Sequence, residues 1–258
     1  MNFTIHVFIV AILAWAVSTE VNGANIIREK PAFLDICKRS DSGFGQCWAK
    51  NTEKMLQEWR SGVPGLKSIG TLDPLHVKRV KISQGGQGGP VAFNMELTKA
   101  ELSGLGAAIF EDLGSNGNNL DLKLKMTLPS FKLNADYTMQ GNILSLPLNS
   151  HGKTRMTFQN AVFSCNAHCK LREEGEFMFV DLEKVQIIFE DIGAVQFRLD
   201  NLFGGNTALE ESAHTLFNEN WRAIFEVLRP SLSQTTEIVL KDVLSRILAI
   251  LPANHYVM

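Results

Sequence analysis

The C-terminal stretch constrains the fold most. From Ala208 to Leu251, 44 residues carry apolar side chains at helical spacing: Leu209, Ala213, Leu216, Phe217, Trp221, Ile224, Phe225, Leu228, Leu232, Val239, Val243, Leu244, Ile247, Leu248 and Leu251. Thr207-Ala208-Leu209-Glu210 has the spacing of a capping box and predicts the helix start. An unbroken helix of that length would run ~65 Å. Pro230 falls in its middle and predicts a kink or a split in two. A solitary helix with so much apolar surface cannot stand in water, so the rest of the chain must cover it.

The cover is legible upstream. From about Leu72 to Leu202 the apolar period changes to two. Leu120, Leu122, Leu124, Met126 and Leu128 alternate with Asp121, Lys123, Lys125 and Thr127, which gives one buried and one wet strand face. The same alternation runs through Val91, Phe93, Met95 and Leu97, and through Phe131, Leu133, Ala135, Tyr137 and Met139. It returns in Phe163, Cys165, Ala167, Cys169 and Leu171, then in Val195, Phe197 and Leu199. Turn signals separate the strands: Gly85-Gly86-Gln87-Gly88-Gly89-Pro90, Gly114-Ser115-Asn116-Gly117 and Glu173-Glu174-Gly175. A half-buried antiparallel sheet wrapped around one long helix is an α+β fold. A shorter helix is predicted from near Cys47 to Arg60, where Trp48, Met55, Leu56 and Trp59 recur at near-helical spacing and Gly62 and Pro64 stop it. No internal repeat and no linker interrupt the chain.

Val7 to Val17 is an uninterrupted apolar run of 11 residues. That suits the core of a secretory leader and falls short of the ~20 residues a membrane span needs. Val21-Asn22-Gly23 places small or short residues before a cut at Ala24, and a cut after Ser18 also fits; the other reading is an N-terminal core helix. The expected organisation is a leader over residues 1–23 and one domain over 24–258. Lys and Arg total 25 against 27 Asp and Glu, a formal net charge of −2, with basic residues scattered. Nothing there holds a phosphate backbone or an anionic bilayer, so neither nucleic acid nor stable membrane insertion is expected.

Secretion permits disulfides, and the four cysteines Cys37, Cys47, Cys165 and Cys169 allow three connectivities. A Cys37–Cys47 bond would close a short polar loop, tether the N-terminal arm and contribute roughly 2–3 kcal/mol. Cys165 and Cys169 fall on one strand face ~13 Å apart, too far for a bond unless the chain turns sharply between them. His168 would point away from both, which argues against a metal site, and none is expected.

Catalytic signals are missing. There is no Gly-x-Ser-x-Gly elbow and no His-Glu-x-x-His, and the histidines are dispersed. His214 fits a solvated helix face as well as it fits chemistry. Tyr137 stands out because it lies on the apolar phase of its strand, where a buried phenol must find a partner. Trp221, Phe217 and Phe225 share a helix stripe that suits core or cavity wall.

These residues resemble a known family. Ser61-Gly62-Val63-Pro64-Gly65-Leu66 precedes Leu72-Asp73-Pro74-Leu75, followed by Tyr137-Thr138-Met139-Gln140-Gly141-Asn142-Ile143-Leu144-Ser145-Leu146-Pro147-Leu148, by Asn201-Leu202-Phe203-Gly204-Gly205-Asn206, and by Phe217-Asn218-Glu219-Asn220-Trp221. In order and spacing the set is similar to the insect takeout/juvenile-hormone-binding family, from about Pro31 to the C-terminus. The resemblance implies a long helix inside a strongly curved antiparallel sheet, a super-roll related to tubular lipid-binding modules. It implies a non-enzymatic, extracellular carrier without cofactors, a monomer that encloses one small hydrophobic ligand, such as a juvenile-hormone-like terpenoid or a fatty-acid-like molecule. The alternative is a lipid-transfer or membrane-docking module. Tyr137 is then expected to meet the ligand's polar end, with Trp221, Phe217, Phe225, Met126, Leu133 and Met139 as tunnel wall. Cys37 and Cys47 are expected to be bonded to each other. The distant-strand disulfide of the moth hormone binders has no counterpart here, which points to the broader takeout branch.

Secretion predicts that the mature protein begins between residues 19 and 24. N-terminal sequencing of secreted material checks this, and an intact Met1 contradicts it. The only Asn-x-Ser/Thr match, Asn2-Phe3-Thr4, leaves with the leader, so glycosidase should not change the mass.

Overall fold

The computed structural model describes residues 26–85, 91–143 and 146–258. The expected leader and most of the glycine-rich hairpin loop, Gly86 to Pro90, lie outside the described residues. Helix α1 spans Phe44–Glu58. Strands follow at β1 Leu75–Gln84, β2 Val91–Ser103, β3 Ile109–Asp112, β4 Asp121–Ile143, β5 Leu146–Glu174 and β6 Phe177–Leu199. Helices α2 Thr207–Glu219 and α3 Trp221–Leu248 complete the chain before a short tail.

All six strands form one antiparallel sheet in the order β1-β2-β4-β5-β6, with β3 on the same edge of β4 as β2. The runs expected at Leu120–Leu128 and Phe131–Met139 belong to a single strand that begins at Asp121, Leu120 itself lying in the preceding turn with φ 52°. Leu128 pairs with Ala161 and Ser130 with Gln159, while Pro129 between them takes no place in the ladder. Proline has no N–H, so skipping it loses no donor. Across from it Asn160 adopts φ 49°. Both strands change phase in this row, so Leu122, Leu124 and Leu128 share a buried face with Ala135, Tyr137 and Met139. Register shifts in the β5–β6 ladder at Val162/Phe163 and His168/Cys169 do the same for β6. Such irregularities raise strand twist, which curls 23- to 29-residue strands while one face stays apolar.

The last strand, β6, has β5 on one side only, and its other edge must be covered. Helices α2 and α3 cover it with polar side chains, antiparallel to the strand. Glu210 Oε1 accepts from the Asn201 N–H at 2.8 Å. His214 Nε2 lies 3.1 Å from both the N–H and the carbonyl oxygen of Leu199. Asn218 accepts from the Phe197 N–H at 2.9 Å and donates to its carbonyl at 3.0 Å. Arg222 and Arg229 donate to the carbonyls of Gly193 and Phe189. Glu237 accepts from the Ile187 N–H at 2.9 Å, and Lys241 donates to Glu183 O at 2.8 Å. The periods match: four helical residues rise ~6 Å and two strand residues ~6.6 Å. On its other side α3 reaches β1, where Ser231 Oγ lies 2.9 Å from Ser83 O and from Gln84 Oε1. The helix thus closes the roll between its two edge strands.

The split expected as one outcome at Pro230 and the capping box expected at Thr207 are corrected. The break falls at Asn220 (φ −106°, ψ 19°), and Pro230 lies inside α3. Proline removes one helical hydrogen bond, and the anchors of Arg229 and Ser231 on opposite strands hold the helix through it. The N-cap is Asn206, whose Oδ1 accepts from the Leu209 N–H at 3.1 Å, because Glu210 is engaged by Asn201 and does not complete a capping box with Thr207.

One end of the roll is closed by α1, the N-terminal arm and the tail. Cys37 and Val257 form a parallel bridge, and Ile27 N–H bonds Ile250 O at 2.9 Å. The amide of Asn51 pairs with both backbone groups of Asp35. The Cys37–Cys47 disulfide is present, with Cα atoms 5.5 Å apart.

Asn218→Ala should strand both backbone groups of Phe197. We expect a loss of about 1–3 kcal/mol in urea unfolding, and none from Glu219→Ala on the exposed neighbouring position. Equal stability of the two variants would show that the edge bonds do not hold α2.

Candidate functional site

The interior is built from the apolar faces of β1, β2, β4, β5 and β6 and the inner sides of α2 and α3. It falls into two clusters. The larger joins α1, the tail, Leu122, Leu124, Phe163, Ile187, Phe189 and Phe225. The smaller holds Phe93, Met95, Leu97, Tyr137, Met139, Leu199 and Phe217. Val77, Phe197 and Leu232 pack against both and join them.

Burial along α3 is the informative quantity. Of 28 residues only Phe225 and Ile247 are buried. Ile224, Leu228, Leu232, Leu240, Val243 and Leu244 pack against the clusters yet stay only partly buried. Large inward side chains of the sheet behave likewise: Met126, Leu133, Phe131, Phe158 and Phe197. A helix packed solidly on a sheet would bury this stripe. A core left partly accessible along its axis is what an interior with room for a guest leaves behind.

The expected wall residues divide between the clusters. Tyr137, Met139 and Phe217 are buried together in the smaller one, with Leu133 beside them. Phe225 is buried in the larger, with Met126 and Trp221 against it. Tyr137 donates its hydroxyl proton to Asp200 O at 3.0 Å, and burial pushes its pKa up. Its ring fits because position 152 is glycine: a Cβ there would lie 2.2 Å from Asp200 O and 3.3 Å from the Tyr137 ring. Phe197 and Phe158 were not singled out in the sequence. Phe197 stacks on Phe217 at 6.1 Å, and Phe158 on Phe131 at 4.3 Å. Their signal was there in the strand alternation, but only the ladder shows which aromatics meet.

Cys165 and Cys169 are free thiols on the inward face of β5. Burial raises their pKa values to about 11 and about 12. His168 lies on the outer face with its Nδ1 2.6 Å from Asp121 Oδ1, so the three residues do not converge. No group of side chains suited to a metal ion occurs among the described residues. A polar groove of about 600 Å³ lies outside the roll beside α2, lined in part by Arg155, Gln196, Arg198, Glu211, His214 and Asn218. Its arginines pair with Asp200 and Glu211, and its histidine is tied to the β6 edge. No helix of the described residues is long and apolar enough to cross a membrane.

A curled antiparallel sheet closed by C-terminal helices over an apolar interior defines an α+β roll. Residues 8–257 match the family model described as "Haemolymph juvenile hormone binding protein (JHBP)", and the chain belongs to this family. It is 23% identical over 233 residues to the circadian clock-controlled protein daywake of Drosophila yakuba, covering 88% of this chain and 87% of the relative. The Drosophila melanogaster daywake protein is 22% identical over 254 residues, 96% and 94% of the two chains. Among solved structures, Takeout 1 of Epiphyas postvittana superposes with a TM-score of 0.69 at 22% identity, over 86% of this chain and 98% of that one. At that identity the likeness is one of fold.

Both thiols titrate above their ordinary value of 9.0. The stability gained by keeping them neutral is present below about 9 and is lost as pH rises through about 11 to 12. Iodoacetamide at mildly alkaline pH should therefore leave both unmodified in the native protein and label both after unfolding, as read by mass spectrometry. Rapid labelling of the native protein would contradict their buried, protonated state.

Proposed function

We propose that this protein is a secreted, monomeric carrier that holds one small hydrophobic molecule inside the roll and does not act on it chemically. The observation that carries the reading is the inner stripe of α3, apolar and packed on the sheet but only partly buried. Such a surface favours a long apolar guest, whether terpenoid, fatty-acid-like or another chain, at roughly 25 cal/mol for each Å² removed from water. Tyr137, Met139, Phe217 and Leu133 are proposed as the wall of one half, and Met126, Phe225 and Trp221 as that of the other. The name of the family supports binding of a hormone of this chemical kind. The Cys37–Cys47 disulfide fits an oxidising, extracellular setting.

Leu232 touches both clusters, so a bulky residue there should fill the middle of the interior. Leu232→Trp is expected to weaken binding of the fluorescent probe N-phenyl-1-naphthylamine by about tenfold, a loss of ~1.4 kcal/mol, without lowering Tm. In a solid core the same change would cost roughly 1–3 kcal/mol of stability, and the parent protein would not bind the probe. Native mass spectrometry of the parent should show one guest per chain. Delivery to vesicles at a rate set by vesicle concentration would favour a lipid-transfer module instead.

A further inference from the structure

Tyr256 is buried at the closed end of the roll, 1% exposed, and its hydroxyl has no hydrogen-bond partner among the described residues. The ring packs edge-on against Trp48, with centroids 5.4 Å apart. The hydroxyl lies within electrostatic reach of the Cys169 thiol, which belongs to the inward face of β5. An unpartnered buried hydroxyl is costly, so such a group is normally satisfied by an internal water or a ligand. A phenylalanine would fill the same apolar corner without that cost.

The surroundings say what the hydroxyl can receive. Cys165 and Ala167, the next inward positions of β5, remain partly exposed although their ladder neighbours Leu122, Leu124, Val185 and Ile187 are buried. The sheet face next to this end is therefore covered less completely at Cys165 and Ala167 than at their neighbours. The donors here are O–H and S–H, and the thiols keep their protons at neutral pH. No Lys or Arg is buried among the described residues, and the nearby His255 is engaged by Ile27 O at 2.8 Å. The carboxylates of Asp121 and Glu183 act on Cys169 from the outer face. A carboxylate head would arrive desolvated with no free cation to pair it, because His168 and Lys170 on the outer face are already paired with Asp121 and Glu183. A neutral acceptor would find a donor waiting.

We infer that the Tyr256 hydroxyl donates a hydrogen bond to a neutral carbonyl head, of the ester, ketone or aldehyde class, on the carried molecule. This rests on the carrier reading and adds a polar end subsite to it, at the end closed by α1 and the tail.

The test compares the parent protein and Tyr256→Phe, each as the full mature chain stripped of lipid. Methyl palmitate, palmitate and hexadecane compete against N-phenyl-1-naphthylamine. The parent should prefer methyl palmitate to palmitate. The variant should bind methyl palmitate roughly 2- to 10-fold more weakly, the range of one neutral hydrogen bond, and hexadecane as before. Its empty form should melt at or above the parent's Tm, because an orphan hydroxyl has been removed. An unchanged ratio of methyl palmitate to hexadecane overturns the subsite and leaves the carrier standing; a water-filled site gives this result. Failure of hexadecane to bind the parent defeats the carrier reading and the subsite with it. A second measurement needs no variant: the ester carbonyl stretch of methyl palmitate bound to the parent should lie at lower frequency than in hexane. An unshifted band refutes the hydrogen bond.

Discussion

The open edge of β6 is the constraint on which the rest of the molecule depends. A long edge strand presents a row of unpaired N–H and C=O groups, and no seventh strand is available among the described residues to take them. Side chains of α2 and α3 do so. Glu210, His214 and Asn218, four residues apart, meet Asn201, Leu199 and Phe197, two residues apart. This rigid registration sets where the helix lies, and with Ser231 on β1 it determines how far the sheet must curl. The apolar stripe of the helix then faces the interior because the polar stripe is fixed to the strand.

That geometry also bears on how the inner stripe of α3 packs. A helix free to settle onto a sheet would approach until its apolar side chains interdigitated with the strands. Here polar contacts tie the helix to both edge strands. Leu228, Leu232, Leu240, Val243 and Leu244 are therefore left partly accessible, as are Phe131 and Phe158 on the sheet. The two ends differ: Tyr137 is already engaged by Asp200, while Tyr256 has an uncommitted hydroxyl.

Relatives at 22–23% identity cover nearly the whole chain, and the Takeout 1 fold superposes over 86% of it. A roll of this kind needs apolar residues at alternating inward positions and polar residues along the rim of the helix, and many side chains satisfy either demand. The fold can persist while the inner surface changes. Ligand preference can thus vary within the family through a few inward residues, without disturbing the edge contacts that hold the helix.

The sequence by itself determined the period of each segment, the α+β class and the separation of Cys165 from Cys169. These follow from local spacing, since a face of a strand or helix is set by the chain's own geometry. It carried the Cys37–Cys47 pairing through a short loop and the family resemblance. Only the tertiary structure decided that Asp121–Leu128 and Phe131–Met139 are one strand, because a phase change at Pro129 is invisible until Asn160 answers it across the ladder. It moved the helix break from Pro230 to Asn220, because anchors on distant strands outweigh one missing helical hydrogen bond. His214 fitted a solvated face in the sequence and is buried on the β6 edge in the fold. Tyr256 gave no signal, since whether a phenol finds a partner depends on every segment packed around it.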